Sequence, residues 1–135
     1  MKPYAAIGYM LLNTSAVTAV TSTRIYHGLR PVGTTVPSIN YYELGGGARY
    51  NGFESVQFSI NCRASTAAAS RDLARLVLNL FTASNGMGID SVVNNSFEIS
   101  RSTLSNDGGL IPEPEDGIFN SPVDIRVVYP IGTIS

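Results

Sequence analysis

One histidine, His27, one cysteine, Cys62, and a short acidic run, Glu113, Glu115 and Asp116, are the residues from which catalytic or metal chemistry could be built. A nucleophilic triad needs a histidine held between a hydroxyl or thiol and a carboxylate, and that geometry, not composition, defines it. His27 sits in a strand-like segment between Tyr26 and Gly28 and reads as an edge or surface histidine. Neither GxSxG nor HExxH occurs. The acidic run lacks the ligand spacing of a calcium loop, and a carboxylate pair for sugar hydrolysis has to be set by the fold rather than by adjacency. It reads as part of a solvated loop. A single cysteine excludes an internal disulfide and a multi-cysteine zinc site, and its place on the apolar face of a strand makes Cys62 a small buried hydrophobe. The expectation is therefore no catalytic residue, no cofactor, no metal and no enzyme.

The remaining candidate is GGGARYNG, Gly45 to Gly52. Glycine-rich turns present backbone N–H groups to phosphates, but such loops precede a helix and usually end in GK[ST]. This one joins two strand-like runs and has no lysine. It predicts a long, flexible β-hairpin tip, with Gly46, Gly47, Arg49, Tyr50 and Asn51 as contact residues.

The elements that would hold these residues follow from periodicity. In FESVQFSINCRA, Val56, Phe58, Ile60 and Cys62 point one way while Ser55, Gln57, Ser59, Asn61 and Arg63 point the other, as in a strand with one face in water. Ala69, Leu73, Leu76, Val77 and Leu80 then recur at helical spacing, with Ser65 or Thr66 as N-cap and Ser84-Asn85-Gly86 as the end. Upstream, Pro3 opens a helix over 4–13 carrying Ile7, Met10 and Leu11, and Ser15 caps a second short turn with Val17 and Val20. Thr23 to Gly28 reads as a brief strand, LRPVGTTVPS as an extended connection, and Ser38 to Leu44 as a strand. Downstream, 89–93 and 96–101 can supply a further strand, and 102–117, rich in Gly, Pro and acid, reads as an exposed loop. Val123, Ile125, Val127, Tyr129 and Ile131 alternate in a final half-buried strand. The predicted class is α+β: a mostly antiparallel sheet packed on one face by the long helix, with a short N-terminal helix, in one domain over 1–135.

Composition narrows the partners. With 135 residues, 44% hydrophobic and 14% charged, the chain can fill one core and is not disordered. No apolar run has the length of a membrane span, and no secretory signal is visible. A net charge of -1 gives no electrostatic case for gripping nucleic acid. Low charge density suits surfaces that end up against other protein.

Three stretches then resemble, in order and spacing, the tail terminator or tail completion proteins of long-tailed bacteriophages and prophages. They are AVTAVTSTRIYHGLRPVGTTVPSINYYEL before the hairpin, VQFSINCRASTAAASRDLARLVLNLF at its exit, and EPEDGIFNSPVDIRVVYP at the end. The glycine-rich hairpin and the polar insertion around 102–109 depart from that pattern. The resemblance implies a virion protein assembled in the bacterial cytoplasm. It would form a hexameric ring at the head-proximal end of the tail tube, end tube polymerisation and receive the head connector. Its implied partners are other copies of itself, the tail tube protein and a head completion or connector protein, with DNA passing the lumen without specific binding and no membrane. Glu113, Glu115 and Asp116 join the hairpin residues as expected contacts. The rivals are another neck ring, of head completion or tail-tube type, and a small ligand-binding domain or enzyme using His27 and the acidic loop.

Overall fold

The alternation in the middle of the chain produces a long central strand. A computed structural model describes residues 3–29, 35–50, 52–82, 91–93, 97–99, 101–113 and 117–130. The elements are α1 (Pro3–Leu12), α2 (Ser15–Thr21), β1 (Ile25–His27), β2 (Ser38–Tyr50), β3 (Phe53–Ala64), α3 (Ala67–Thr82), β4 (Ser91–Val93), β5 (Phe97–Ile99), β6 (Arg101–Asp107), β7 (Ile111–Glu113) and β8 (Ile118–Pro130). The main sheet runs β1-β2-β3-β8-β6, with β7 also on β8, and β4 pairs with β5 in a separate two-stranded ribbon. Every pairing is antiparallel except β1 with β2. This is the expected α+β architecture. Among the described residues no helix is long and apolar enough to cross a membrane.

β3 and β8 form the frame, paired from Phe53 with Pro130 to Ala64 with Phe119. Val56, Phe58, Ile60 and Cys62 lie beside Val123, Ile125 and Val127 on one face, and all are buried. α3 covers them with Ser70, Leu73, Ala74, Val77 and Phe81. The apolar stripe is thus turned slightly from the expected one, with Leu76 and Leu80 only partly buried at its margin. Thr66 is the cap: its Oγ1 accepts from the Ala69 N–H at 3.1 Å and its carbonyl from the Ser70 N–H. The Ser70 hydroxyl bridges to the Cys62 carbonyl (2.9 Å) and the Ser121 hydroxyl (2.7 Å), pinning the first turn of α3 to both central strands. The expected helix end at 84–86 lies outside the described residues.

α1 and α2 complete the helical layer through Ala6, Ile7, Leu11 and Val17. A Cβ on Gly8 would collide with the Tyr41 hydroxyl, so glycine lets α1 settle this close to β2. Ser15 is the first residue of α2 and not its cap. Thr14 holds the cap position with its backbone carbonyl, while its hydroxyl turns back to donate to the Met10 carbonyl at 2.7 Å.

Two loop expectations are corrected. The glycine-rich stretch is not a flexible tip: Gly46, Gly47, Arg49 and Tyr50 belong to β2, which pairs with β3 as far as Tyr50 opposite Phe53. Register shifts between Glu43 and Gly45 and between Gly45 and Ala48 absorb the extra residues as bulges. The turn shrinks to the connection through Gly52, whose φ of 84° suits glycine. Nor is 102–117 simply an exposed loop, because all of β6 but its first residue and all of β7 lie within it, and both pair with β8. The final strand is consequently interior to the sheet. The region at 89–101 yields two short strands where one was expected; Ile131 lies outside the described residues.

Candidate functional site

His27 does not meet the requirements of a triad. Its ring stacks on Tyr4 at 4.3 Å and nearly parallel, and it lies 5.3 Å from the tilted ring of Tyr41. The three rings tie α1 to β1 and β2, which is a packing role. Burial, then the neighbouring Tyr4, raises the pKa of the Tyr41 hydroxyl. Cys62 is buried within the core. Among the described residues no cluster of three His, Cys, Asp or Glu side chains could hold a metal ion.

The feature that stands out is the far half of the β2–β3 hairpin. β1 pairs only with Ile39, Asn40 and Tyr41, so from Tyr42 to Tyr50 the outer edge of β2 has no strand beside it among the described residues. On the opposite side, among the described residues, β6 is bonded only to β8. Open edges present unpaired N–H and C=O groups and are templates for another strand. Tyr42 and Leu44 on the β2 edge are exposed although large and apolar, and Phe53 is exposed where the hairpin turns.

The helix-bearing face of the same hairpin ends in a charged group. Arg49 and Glu54, directly opposite in the ladder, approach to 3.6 Å, with Arg49 well exposed and Glu54 largely covered. Tyr129, next to Glu54 on β8, is 1% exposed. Its pKa is pushed up to about 12, first by burial, then by the Glu54 and Glu43 carboxylates, with Arg49 opposing and a hydrogen bond to Glu54 adding to the rise. The buried phenol donates its proton to a carboxylate and holds the hairpin against β8.

The other face of the sheet carries no described helix and is polar. Arg126 reaches Ser55 and Gln57 across the ladder at 3.3 Å each. The Asn120 amide donates to Asn61 Oδ1 at 2.9 Å, Arg63 donates to Asn40 Oδ1, and the Asn40 amide donates to the Gly28 carbonyl at 3.0 Å.

Of the residues singled out from the sequence, Gly46, Gly47, Arg49 and Tyr50 fall together on the open edge. Asn51, Glu115 and Asp116 lie outside the described residues, and Glu113 ends β7 at the opposite end of the sheet, opposite Ile118. The structure therefore separates the hairpin from Glu113. Sequence reasoning missed Tyr42, Glu43, Leu44, Phe53 and Tyr129 as parts of one region; the signal was the length of the hairpin, since β2 outruns β1.

No protein-family profile matches the chain, and no curated protein matches it. Among solved structures, a chain from the virion of a native gene transfer agent particle is similar, with a TM-score of 0.71 at 14% identity, over 95% of this chain and 94% of that one. At this identity the likeness is one of fold.

Proposed function

We propose that the chain is a structural virion protein, a tail terminator that acts as a single domain and forms a hexameric ring at the head-proximal end of a tail tube. The observation that carries this reading is the near end-to-end likeness to a chain of the gene transfer agent virion, at 95% and 94% coverage. The three sequence stretches that resemble tail terminators narrow it from virion protein to that role. The two open sheet edges support the ring. Strand direction alternates through β2, β3, β8 and β6, and rotation about an axis along the strands preserves direction. The β6 edge of one copy would therefore meet the β2 edge of the next in antiparallel sense, the pairing found in the rest of the frame. Such contacts are head-to-tail and close by rotation.

With the bulky helices on one face, the wider outer circumference accommodates them and the polar face turns to the lumen. Its Ser, Asn and Gln side chains, with Arg63 and Arg126 bonded to their neighbours and Asp124 beside them, give DNA in transit a mixed polar surface and not a uniformly basic one. Gly46, Gly47, Arg49, Tyr50 and Asn51 would lie in or beside the subunit contact, and Glu113, Glu115 and Asp116 at the opposite end, toward the tube or the connector. The protein would act in the virion neck, after assembly in the host cytoplasm, and without catalysis.

The test is to add the purified protein to tail tubes and image their ends: a ring of density at one end is expected, and bare, still-elongating ends refute the assignment. A second reading, a different ring of the neck of head completion or tail-tube type, is favoured by the same fold likeness. It predicts density on the connector or along the tube instead.

A further inference from the structure

We propose, on the ring reading above, that each subunit contact is keyed by charge: Glu43 on the open β2 edge of one copy enters a basic recess beside α3 of the next. The recess lies between α3 and β8 and is lined by Arg71, Ala74, Arg75, Leu78, Asn79 and Val123, enclosing about 170 Å³. That is room for a side chain, and it falls short of the several hundred Å³ typical of ligand pockets. Arg71 and Arg75 stand one turn apart on the same flank, Arg71 part-buried with contacts of its own. Arg75 is exposed and makes no ion pair with a described carboxylate. The recess lies on the flank of α3 that carries Arg71, Arg75 and Leu78, over Val123 of β8 and away from Leu76 and Leu80, and α3 also packs against β6.

The complementary group sits on the other side of the molecule. Glu43 is exposed where β1 no longer covers β2, and makes no ion pair with a described residue. It belongs to the helix-bearing face, because it shares a row with Phe58 and Ile125. Val123, on the floor of the recess, is the next residue along β8 on that face, so the two features lie at nearly the same height in the sheet. A closed ring is generated by rotation without translation. With the sheet standing along the axis, features level in one copy stay level across the contact. Acid on the β2 side and base on the β6 side therefore face one another at every interface, and like charges would meet if a copy docked backwards, which enforces direction.

Glu43→Lys and Arg75→Glu, made singly and together, test this, with thermal unfolding as the control for fold and the fraction of capped tube ends as readout. Both sites are exposed, so all three variants should melt with the wild type. Each single reversal is expected to reduce capping about tenfold, and the double reversal to restore it to within about twofold. A double variant as poor as the singles, or singles that cap normally, overturns the keyed contact while leaving the ring in place. Wild-type protein that fails to cap tubes overturns the ring and this contact with it.

Discussion

The two faces of β3 differ less in burial than in chemistry. On the helix side Phe58 and Ile60 are wholly buried by apolar contact; on the other, Ser59 and Asn61 are 3% and 5% exposed without a described helix above them. The polar face is laced by its own side chains: Arg63 donates to Asn40, Asn120 to Asn61 and Arg126 to Gln57, each across the ladder. One face is held by area removed from water, which tolerates sliding, and the other by directed bonds, which do not. Alternation in a sequence therefore distinguishes apolar from polar sides, and dry from wet only when something else is known about the polar side chains.

The comparison can be broken most forcefully on the apolar face. Phe58→Ala should cost about 3–5 kcal/mol in urea unfolding, because α3 and β8 enclose the ring and the space cannot collapse fully. Leu76→Ala, at the margin of the same stripe, should cost clearly less.

A smaller loss should appear in alkali. Unfolded tyrosine ionises near pH 10, whereas Tyr129 in the folded protein keeps its proton to about pH 12, so the unfolded state binds fewer protons between those values. Its contribution is intact below pH 10 and is lost as pH rises through 12. Urea midpoints should fall over this window in the wild type and fall less in Tyr129→Phe. The fall that persists in the variant includes the part due to Tyr41, whose pKa is also raised.

On the polar face, Asn61→Ala should cost about 1–3 kcal/mol, since it strands the buried Asn120 amide that donates to it. Replacing Asn61 and Asn120 together by Val should cost less than the single change. Asn61 Nδ2 and Asn120 Oδ1 are already without partners, and the double variant removes both orphans. Calorimetric melting of the two variants checks the order; a double variant worse than the single would mean that this face is not held by directed bonds.

How much of this was legible follows from where the information sits. The frame was readable because each of its signals is local: alternation in β3, the stripe of α3, and a hydroxyl at Thr66 followed by a helical run. β6 and β7 were not, because RSTLSND and the prolines and acids after it have little strand propensity. They are strands because β8 offers them a ladder, and β8 comes later in the chain. The triple glycine misled for a related reason, since glycine clusters ordinarily mark turns, while here β3 runs on long enough to pair with them. Half of the candidate site was legible, as Arg49 and Tyr50 lie where expected in sequence. Glu43, Phe53 and Tyr129 meet only through register, and no window of sequence contains it.

The position of β8 has a consequence for when the molecule becomes sticky. Its partners on β3 are more than fifty residues earlier in the chain, and β6 and β7 also precede it. During synthesis those strands wait, and contacts so distant in sequence form late. The β2 rim needs only the hairpin, but β6 joins the sheet through β8, so the second rim does not exist until this strand slots between its neighbours. A half-made chain thus lacks one of the two rims that a head-to-tail contact requires, and closing a ring is postponed until each subunit is whole.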